Sequence, residues 1–402
     1  MFYPRLIYPK LSNHLKEPET TVLTGMRRTG KTMLLKKLFD DIPSNNKILL
    51  DLENRSNHLL FNILDYDEIL KQIIKQYHLS PTEQIFIFLD EIQNLKNLPS
   101  VMKYLSDHYK VKFVATGSSS FYLKNLFSES MAGRKRIFEL FPLTFSEFLV
   151  FNQKINHLPD EDFDILEIEK SDWWQEDKTH LYRQYLLWGG FPKVVLADTE
   201  EKKRQALDEV LFSYIDQDVK NLSSFKKISH MEDLIRLLAA RVGQKIDISK
   251  LSRECGLARE TIEEYLEFLE RTYFIFRITP FSRSVDREIT RAKKLYFCDT
   301  GFANYLGRIS HGQALENAVF QNLKVKVRKN FAFDEIKYYQ LKNGREIDFI
   351  INDQVGVEVK ETVDIYDLKR LKSLTGKIGL KEERLISMNK TKEDKAIYAS
   401  QI

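Results

Sequence analysis

The 402 residues are 43% hydrophobic and 30% charged, enough apolar matter for two to three cores at about 150 residues per domain and too much for a disordered chain. Against 62 Lys and Arg stand 58 Asp and Glu, so the net charge of +4 does not by itself announce a nucleic-acid binder. Two cysteines, a start without an apolar signal-like stretch, and no run near the ~20 apolar residues of a membrane span argue against a disulfide scaffold, a zinc site or a membrane protein, and predict a cytoplasmic setting.

Over 1–150, short apolar runs alternate with amphipathic stretches: TTVLTG (20–25), KILLDLE (47–53), IFIFLD (85–90), KFVATGS (112–118) and RIFELFPL (136–143). Uninterrupted apolar runs of this length predict strands of a parallel sheet covered on both faces. A densely acidic stretch, 160–177, reads as a solvated insertion, and 181–222 reads as mostly helical. Three helical patterns and a β-rich hairpin follow around 230–280, then mixed strands and helices.

Residues 25–32, GMRRTGKT, match G-x-x-x-x-G-K-[ST] in full and lie between a predicted strand and an amphipathic helix, where that motif must lie. The spacing wraps Gly25, Met26, Arg27, Arg28, Thr29, Gly30, Lys31 and Thr32 around a phosphate chain. Backbone N–H groups and the helix N-terminus cradle it, Lys31 supplies charge between β- and γ-phosphates, and Thr32 reaches Mg²⁺. The strand IFIFLD delivers Asp90, expected to orient Mg²⁺, and Glu91, expected to polarise the attacking water. After the next strand, Ser118 or Ser119 either reaches the γ-phosphate or belongs to a serine-rich turn. Arg134 and Arg136 precede the last strand of this domain. Arg134 reads either as a finger onto a neighbouring subunit's nucleotide or as a solvated arginine.

This combination resembles the AAA-type ATPases of bacteria and archaea that carry a nuclease-like C-terminal half. The carrying residues are GMRRTGKT, the LDEIQ strand end, TGSSS, AGRKRIFELFPLTFSEF, GGFP at 189–192 and KLYFCDTGFANYL. The resemblance implies nucleotide binding and slow hydrolysis.

Further on, DISKLSRECGLARETIEEYLEFLERTYFIFRI has helix-turn-helix order, with a tight turn at Gly256. Ile262, Tyr265, Leu266 and Leu269 recur at i, i+3, i+4 and i+7 and predict one buried stripe. The opposite face carries Glu260, Glu263, Glu264, Glu267 and Glu270, which would repel a phosphate backbone, so an interaction element is favoured over a duplex reader. Arg283, Arg287, Arg291, Lys293 and Lys294 keep a backbone-only DNA contact open.

From Arg345 the sequence REIDFIINDQVGVEVKET reads as two alternating strands about a polar turn. A shared apolar face requires paired positions with an even sum, which sets Asp348 opposite Glu358 and Glu346 opposite Lys360 on the other face. Paired carboxylates can hold Mg²⁺ or Mn²⁺, and Lys360 can serve a water attacking a phosphodiester. Asp348 with Glu358-Val359-Lys360 resembles the D…(D/E)-x-K core of restriction-endonuclease-like nucleases, and Glu316 matches a glutamate that some of them add from a helix. The bland alternative is a solvent-facing sheet surface on which Glu346 pairs with Lys360. Basic residues at 324, 326, 328, 329, 337, 342 and 345 either track a nucleic-acid backbone or form solvated faces.

The expected fold class is therefore α/β. It comprises an AAA-type P-loop domain over 1–150, a helical extension with the acidic insertion over 151–225, a winged-helix module over 226–280, and a restriction-endonuclease-like domain over 281–402. The expected function is ATP binding and hydrolysis, with ATP and Mg²⁺, coupled to a C-terminal domain acting on DNA. The alternative is a non-nucleolytic nucleotide switch or assembly platform for a protein partner or homo-oligomer. No membrane partner is expected.

Overall fold

The computed structural model describes residues 2–117, 131, 133–159, 165, 168, 175–219, 228–327, 336–393 and 396–402. Ser118, Ser119, nearly all of the acidic stretch, and the basic residues 328 and 329 lie outside the described residues. The chain divides into two compact units, Met1–Phe141 with Arg271–Tyr273, and Pro142–Glu270 with Phe274–Ile402.

The first unit is built on five strands, β1 (Thr20–Thr24), β2 (Lys47–Asp51), β3 (Ile85–Asp90), β4 (Val111–Gly117) and β5 (Lys135–Glu139), in the order β2-β3-β4-β1-β5. Every pairing in it is parallel. The uninterrupted apolar runs have the physical cause the sequence suggests, because successive residues serve opposite faces. Ile87 and Leu89 join a core with Ile69, Ile73, Leu98 and Leu105 from α4 (Tyr66–Tyr77) and α5 (Leu98–His108). Phe88 joins the core on the other face with Leu11 of α1 (Tyr8–His14) and Leu34, Leu35 and Leu38 of α2 (Lys31–Asp41). The short α3 (Arg55–Phe61) lies between β2 and α4 in the chain.

Buried Lys112 closes α1 onto the sheet, its ammonium donating to the carbonyls of His14 at 2.9 Å and Glu17 at 2.8 Å, and also to that of Glu19. One buried cation thus gathers the carbonyl at the end of α1 and two in the turn that follows it. The returning segment 271–273 docks on the end of β5, where the Tyr273 hydroxyl donates to Glu139 at 3.0 Å and its ring meets Phe141 edge-on.

The second unit begins with helices, among them Phe145–Phe151, Gln175–Trp188, Glu200–Tyr214, Ile228–Ala239, Ile248–Cys255 and Arg259–Arg271. Gly256 ends the Ile248–Cys255 helix in the left-handed conformation, at φ 63°. In the next helix the stripe Ile262, Tyr265, Leu266 and Leu269 is buried together with Phe268, while Glu260, Glu263, Glu264 and Glu267 are exposed. Strands β6 (Ile275–Ile278) and β7 (Lys294–Phe297) then form an antiparallel ribbon. A mixed sheet follows, ordered β12-β11-β10-β9-β8. Its strands are β8 (Ile336–Gln340), β9 (Glu346–Ile351), β10 (Val355–Lys360), β11 (Glu382–Ser387) and β12 (Ala396–Tyr398). The helix His311–Val327 packs on β10, and Ile365–Ile378 packs on β9, β10 and β11.

Two distant sequence motifs meet at Asp299, which is buried between Cys298 and the helix Thr300–Gly307. Its carboxylate caps that helix through Phe302 N and accepts Gly190 N at 2.6 Å. Any Cβ at Gly189 would collide with this carboxylate, and one at Gly190 with the Leu143 carbonyl, which explains why the turn is a glycine pair. Burial pushes the Asp299 carboxyl up from 3.8 to about 7, against the lowering effect of the backbone N–H donors. In the folded chain Asp299 therefore holds a proton that the unfolded chain releases, so stability falls as pH rises from about 4 to 7. We expect Asp299→Asn to remove a slope worth on the order of a few kcal/mol across that window, read as the pH dependence of the urea midpoint. An unchanged slope would refute the assignment.

Candidate nucleotide site

Three strand ends define the site. The registers Thr24↔Gly117 and Leu89↔Ala115 bring the C-terminal ends of β1, β4 and β3 to one edge, with Thr116 next to Asp90. Ligands of open α/β sheets bind at this edge. The loop Gly25–Gly30 leaves β1 here and leads into α2, whose first residue is Lys31. Gly25, at φ 151°, passes so close to Leu140 that a Cβ would strike its carbonyl, and Gly30 turns the chain into the helix at φ 104°. Arg28 is exposed with φ 62° at the tip of the loop, Arg27 is half-buried, and Met26 and Thr29 are buried. The Thr29 hydroxyl closes the loop by donating to the Met26 carbonyl at 2.9 Å.

Lys31 is only 5% exposed, and its ammonium donates to the carbonyls of Gly25 at 2.9 Å and Met26 at 3.0 Å. That holds a positive charge inside the loop, at the N-terminus of α2. Thr32, half-buried, begins the same helix. Asp90 is 6% exposed and accepts the Thr116 hydroxyl, which in turn accepts Glu91 N at 3.3 Å. Glu91 has left-handed backbone, φ 57° and ψ 50°, and its carboxylate accepts the Gln93 side-chain amide. A non-glycine residue in that conformation is uncommon and is found preferentially at functional sites.

Two contributors escaped the sequence reading. Thr116, near the end of β4, donates its hydroxyl to Asp90. The signal was there in the strand's last positions, where a hydroxyl aligns with the acidic end of the neighbouring strand. Arg5 carries no motif, yet it backs the phosphate loop from the far side, donating to the carbonyls of Thr29 and Phe141, each at 2.8 Å. Arg134 stands at the opposite edge of the sheet, before β5, where it is 44% exposed and pairs with Asp107 of α5 at 2.8 Å. It therefore stands away from the phosphate loop of its own chain. Arg136 lies within β5.

In the second unit the expected register holds, Val357 facing Phe349 and Val355 facing Ile351. The solvent-facing alternative does not hold for Asp348 and Glu358, which are both buried along with the apolar residues between Ile347 and Ile351. Glu316, Asp348 and Glu358 are divided between two cationic centres. Glu316 and Asp348 face Lys294, with Nζ 2.9 Å from Glu316 and 3.9 Å from Asp348, and Glu346 is 3.6 Å away. Glu358 instead pairs with Arg370 and, at 3.2 Å, with Lys360, leaving its Oε2 without a hydrogen-bond partner. Asp348 Oδ2 accepts Val359 N at 2.8 Å. Burial first and the Glu316 charge next push the Asp348 carboxyl up to about 8, while Lys294 and the Val359 N–H work the other way. Among the described residues, no group of three or more His, Cys, Asp or Glu side chains is arranged to hold a metal ion. Lys294 is buried and does not join the exposed Arg283, Arg287 and Arg291, and Lys324 and Lys326 are buried as well. Among the described residues no helix is long and apolar enough to cross a membrane.

A five-stranded parallel sheet whose glycine loop, lysine and strand-end acidic pair share one edge defines a P-loop nucleotide-binding domain, and residues 17–149 match the family described as "AAA domain". Residues 179–313 and 311–402 match two families described as "Domain of unknown function", DUF8612 and DUF4143. The chain is 30% identical over 340 residues to the uncharacterized protein MJ1544 of Methanocaldococcus jannaschii, covering 82% of this chain and 71% of that one. It belongs to the same family as that protein. An uncharacterized protein of Haemophilus influenzae is 27% identical over 342 residues, covering 82% and 78% of the two chains. Among solved structures, the Aeropyrum pernix ORC2 protein in its ADP form gives a TM-score of 0.38 at 12% identity, over 69% of this chain and 89% of that one. At that score it bears on neither ligand nor partner.

An AAA domain implies binding of ATP with Mg²⁺ and ATP hydrolysis. With the Thr116 hydroxyl bonded to Asp90, Thr116→Val is expected to lower ATP turnover about tenfold, the equivalent of one hydrogen bond, with ATP affinity within about twofold. Steady-state hydrolysis alongside nucleotide titration checks this.

Proposed function

We propose that this chain is an ATPase whose first unit binds and hydrolyses ATP and whose second unit is a nucleotide-controlled binding module for a protein partner. The observation that carries the first half is the convergence of Lys31, Thr32, Asp90 and Glu91 on one sheet edge. The donor set fits the nucleotide. Lys31 is desolvated beside loop carbonyls that phosphate oxygens can replace as its partners, and a Cβ at Gly30 would meet only Arg5, at 3.7 Å. Thr32 and Asp90 would hold Mg²⁺, which when bound supplies positive charge to the phosphate oxygens. Lys31 neutralises charge on the transferred phosphoryl group, Thr116 fixes the rotamer of Asp90, and Glu91 takes the proton of the attacking water while Gln93 orients its carboxylate.

Lys31→Ala is expected to weaken ATP binding at least 100-fold in a fluorescent-nucleotide titration, and unchanged affinity would remove the central claim. Glu91→Gln is expected to keep ATP affinity while turnover falls about 10²- to 10⁴-fold. Equal turnover would mean that Glu91 is no base.

For the second unit, the exposed carboxylates Glu260, Glu263, Glu264 and Glu267 on the helix Arg259–Arg271 support a partner other than duplex DNA. Read as a winged helix, this would be the recognition helix, and its charge opposes phosphate. The competing reading, an ATP-linked module acting on DNA through a nuclease-like fold, is supported by the hairpin that carries Asp348, Glu358 and Lys360. Fluorescence anisotropy with duplex and single-stranded DNA, in ATP and in ADP, separates the two. The protein-partner reading expects no binding tighter than the non-specific range of about 10⁻⁴–10⁻⁶ M, and nanomolar, nucleotide-dependent binding would reverse it.

A further inference from the structure

We infer that Lys294 is a resident cation in the C-terminal carboxylate cluster, standing where a divalent metal would otherwise sit and keeping that cluster metal-free in the folded chain. Strand β7 presents the lysine, whose side chain is 2% exposed. Around its ammonium are Glu316 from the helix His311–Val327 at 2.9 Å, Glu346 at 3.6 Å and Asp348 at 3.9 Å, both from β9. Tyr296, two residues on along β7, donates its hydroxyl to the same Glu316 oxygen at 2.6 Å, so that oxygen already serves two donors. Without a cation here Glu316, Glu346 and Asp348 would stand together with no compensating charge, which the lysine supplies.

A Mg²⁺ or Mn²⁺ ion bridging Glu316 and Asp348 needs their oxygens at about 2.0–2.2 Å, within the space that the ammonium fills, and would meet a like charge held there by the fold. The lysine cannot swing out freely. Its strand is pinned at Phe297, where the buried side chain of Asn317 accepts the backbone N–H at 2.8 Å and donates to the backbone carbonyl at 3.3 Å. Glu358 is turned to a different pair of cations, Arg370 and Lys360. Lys294 thereby also ties the β6–β7 ribbon to the helix His311–Val327 and to β9, so metal entry and ribbon docking exclude each other.

This inference goes beyond the nucleotide reading and is independent of it, since Lys294 has no part in the P-loop site. It is tested on the full chain without nucleotide, by Mn²⁺ titration followed by electron paramagnetic resonance and by thermal unfolding with and without Mn²⁺. Wild type is expected to show no Mn²⁺ binding that Asp348→Asn, Glu316→Gln or Glu358→Gln abolishes. Lys294→Met is expected to gain about one Mn²⁺ site per chain, lost again in the Lys294→Met, Asp348→Asn double variant. Should Lys294→Met fold poorly, Mn²⁺ should restore its unfolding temperature, whereas wild type gains nothing from Mn²⁺. Two results would overturn the inference. One is Mn²⁺ binding by wild type that depends on Asp348, Glu316 or Glu358. The other is a Lys294→Met variant that neither binds Mn²⁺ nor is stabilised by it. Failure on either count leaves the Lys31 and Glu91 outcomes untouched.

Discussion

The parallel register of β3, β4 and β1 decides what can meet at the nucleotide edge. Because Leu89 pairs with Ala115 and Thr24 with Gly117, the strands end level with one another. The glycine loop, the Thr116 hydroxyl and the Asp90–Glu91 pair then fall side by side without any long side chain reaching across. A slip of one residue in β4 would turn Thr116 to the opposite face of the sheet and bring Ala115 or Gly117 beside Asp90. The register is in turn held by the alternation of β3, in which Ile87 and Leu89 belong to one core and Phe88 to the other. Packing on both faces therefore specifies the chemistry of the edge.

The second unit is organised around buried polar groups. Asp299 fixes the turn at Gly189 and Gly190, Asn317 holds the backbone of Phe297, and Asn322 accepts the backbone N–H of Phe145. Each joins segments far apart in the chain, and each is costly to leave without its partner. Lys294 belongs to the same class, a buried charge whose partners come from two further elements. Polar contacts of this kind specify which helix lies against which strand, a selection that apolar packing makes only loosely.

The parallel strands, the phosphate loop and the strand-end acids could be read from the sequence because each is local, a run of apolar residues or a fixed spacing. The register of the C-terminal hairpin was legible for the same reason, as alternation about one turn leaves few pairings. What could not be read is where charged side chains go once helices cover a sheet. Strand alternation sets Asp348 and Glu358 on the face opposite their apolar neighbours but does not say whether a helix covers that face, and both are buried. Lys294 looked like one more basic residue beside Lys293, since the carboxylates that claim it lie 22 to 54 positions away. Arg5 left no trace at all, because its acceptors are backbone carbonyls, which any sequence supplies.

That arginine has a temporal meaning. It donates to the carbonyl of Thr29 in the phosphate loop and to that of Phe141, 136 residues away along the chain. On the ribosome the loop is therefore made early, but its backing is completed only after β5 and the carbonyl beyond it have emerged. A nascent chain halted before that point would carry the whole phosphate-binding sequence without the Phe141 carbonyl to which Arg5 donates. The backing of a loop made early in the chain is thereby tied to the emergence of the strand that closes the sheet.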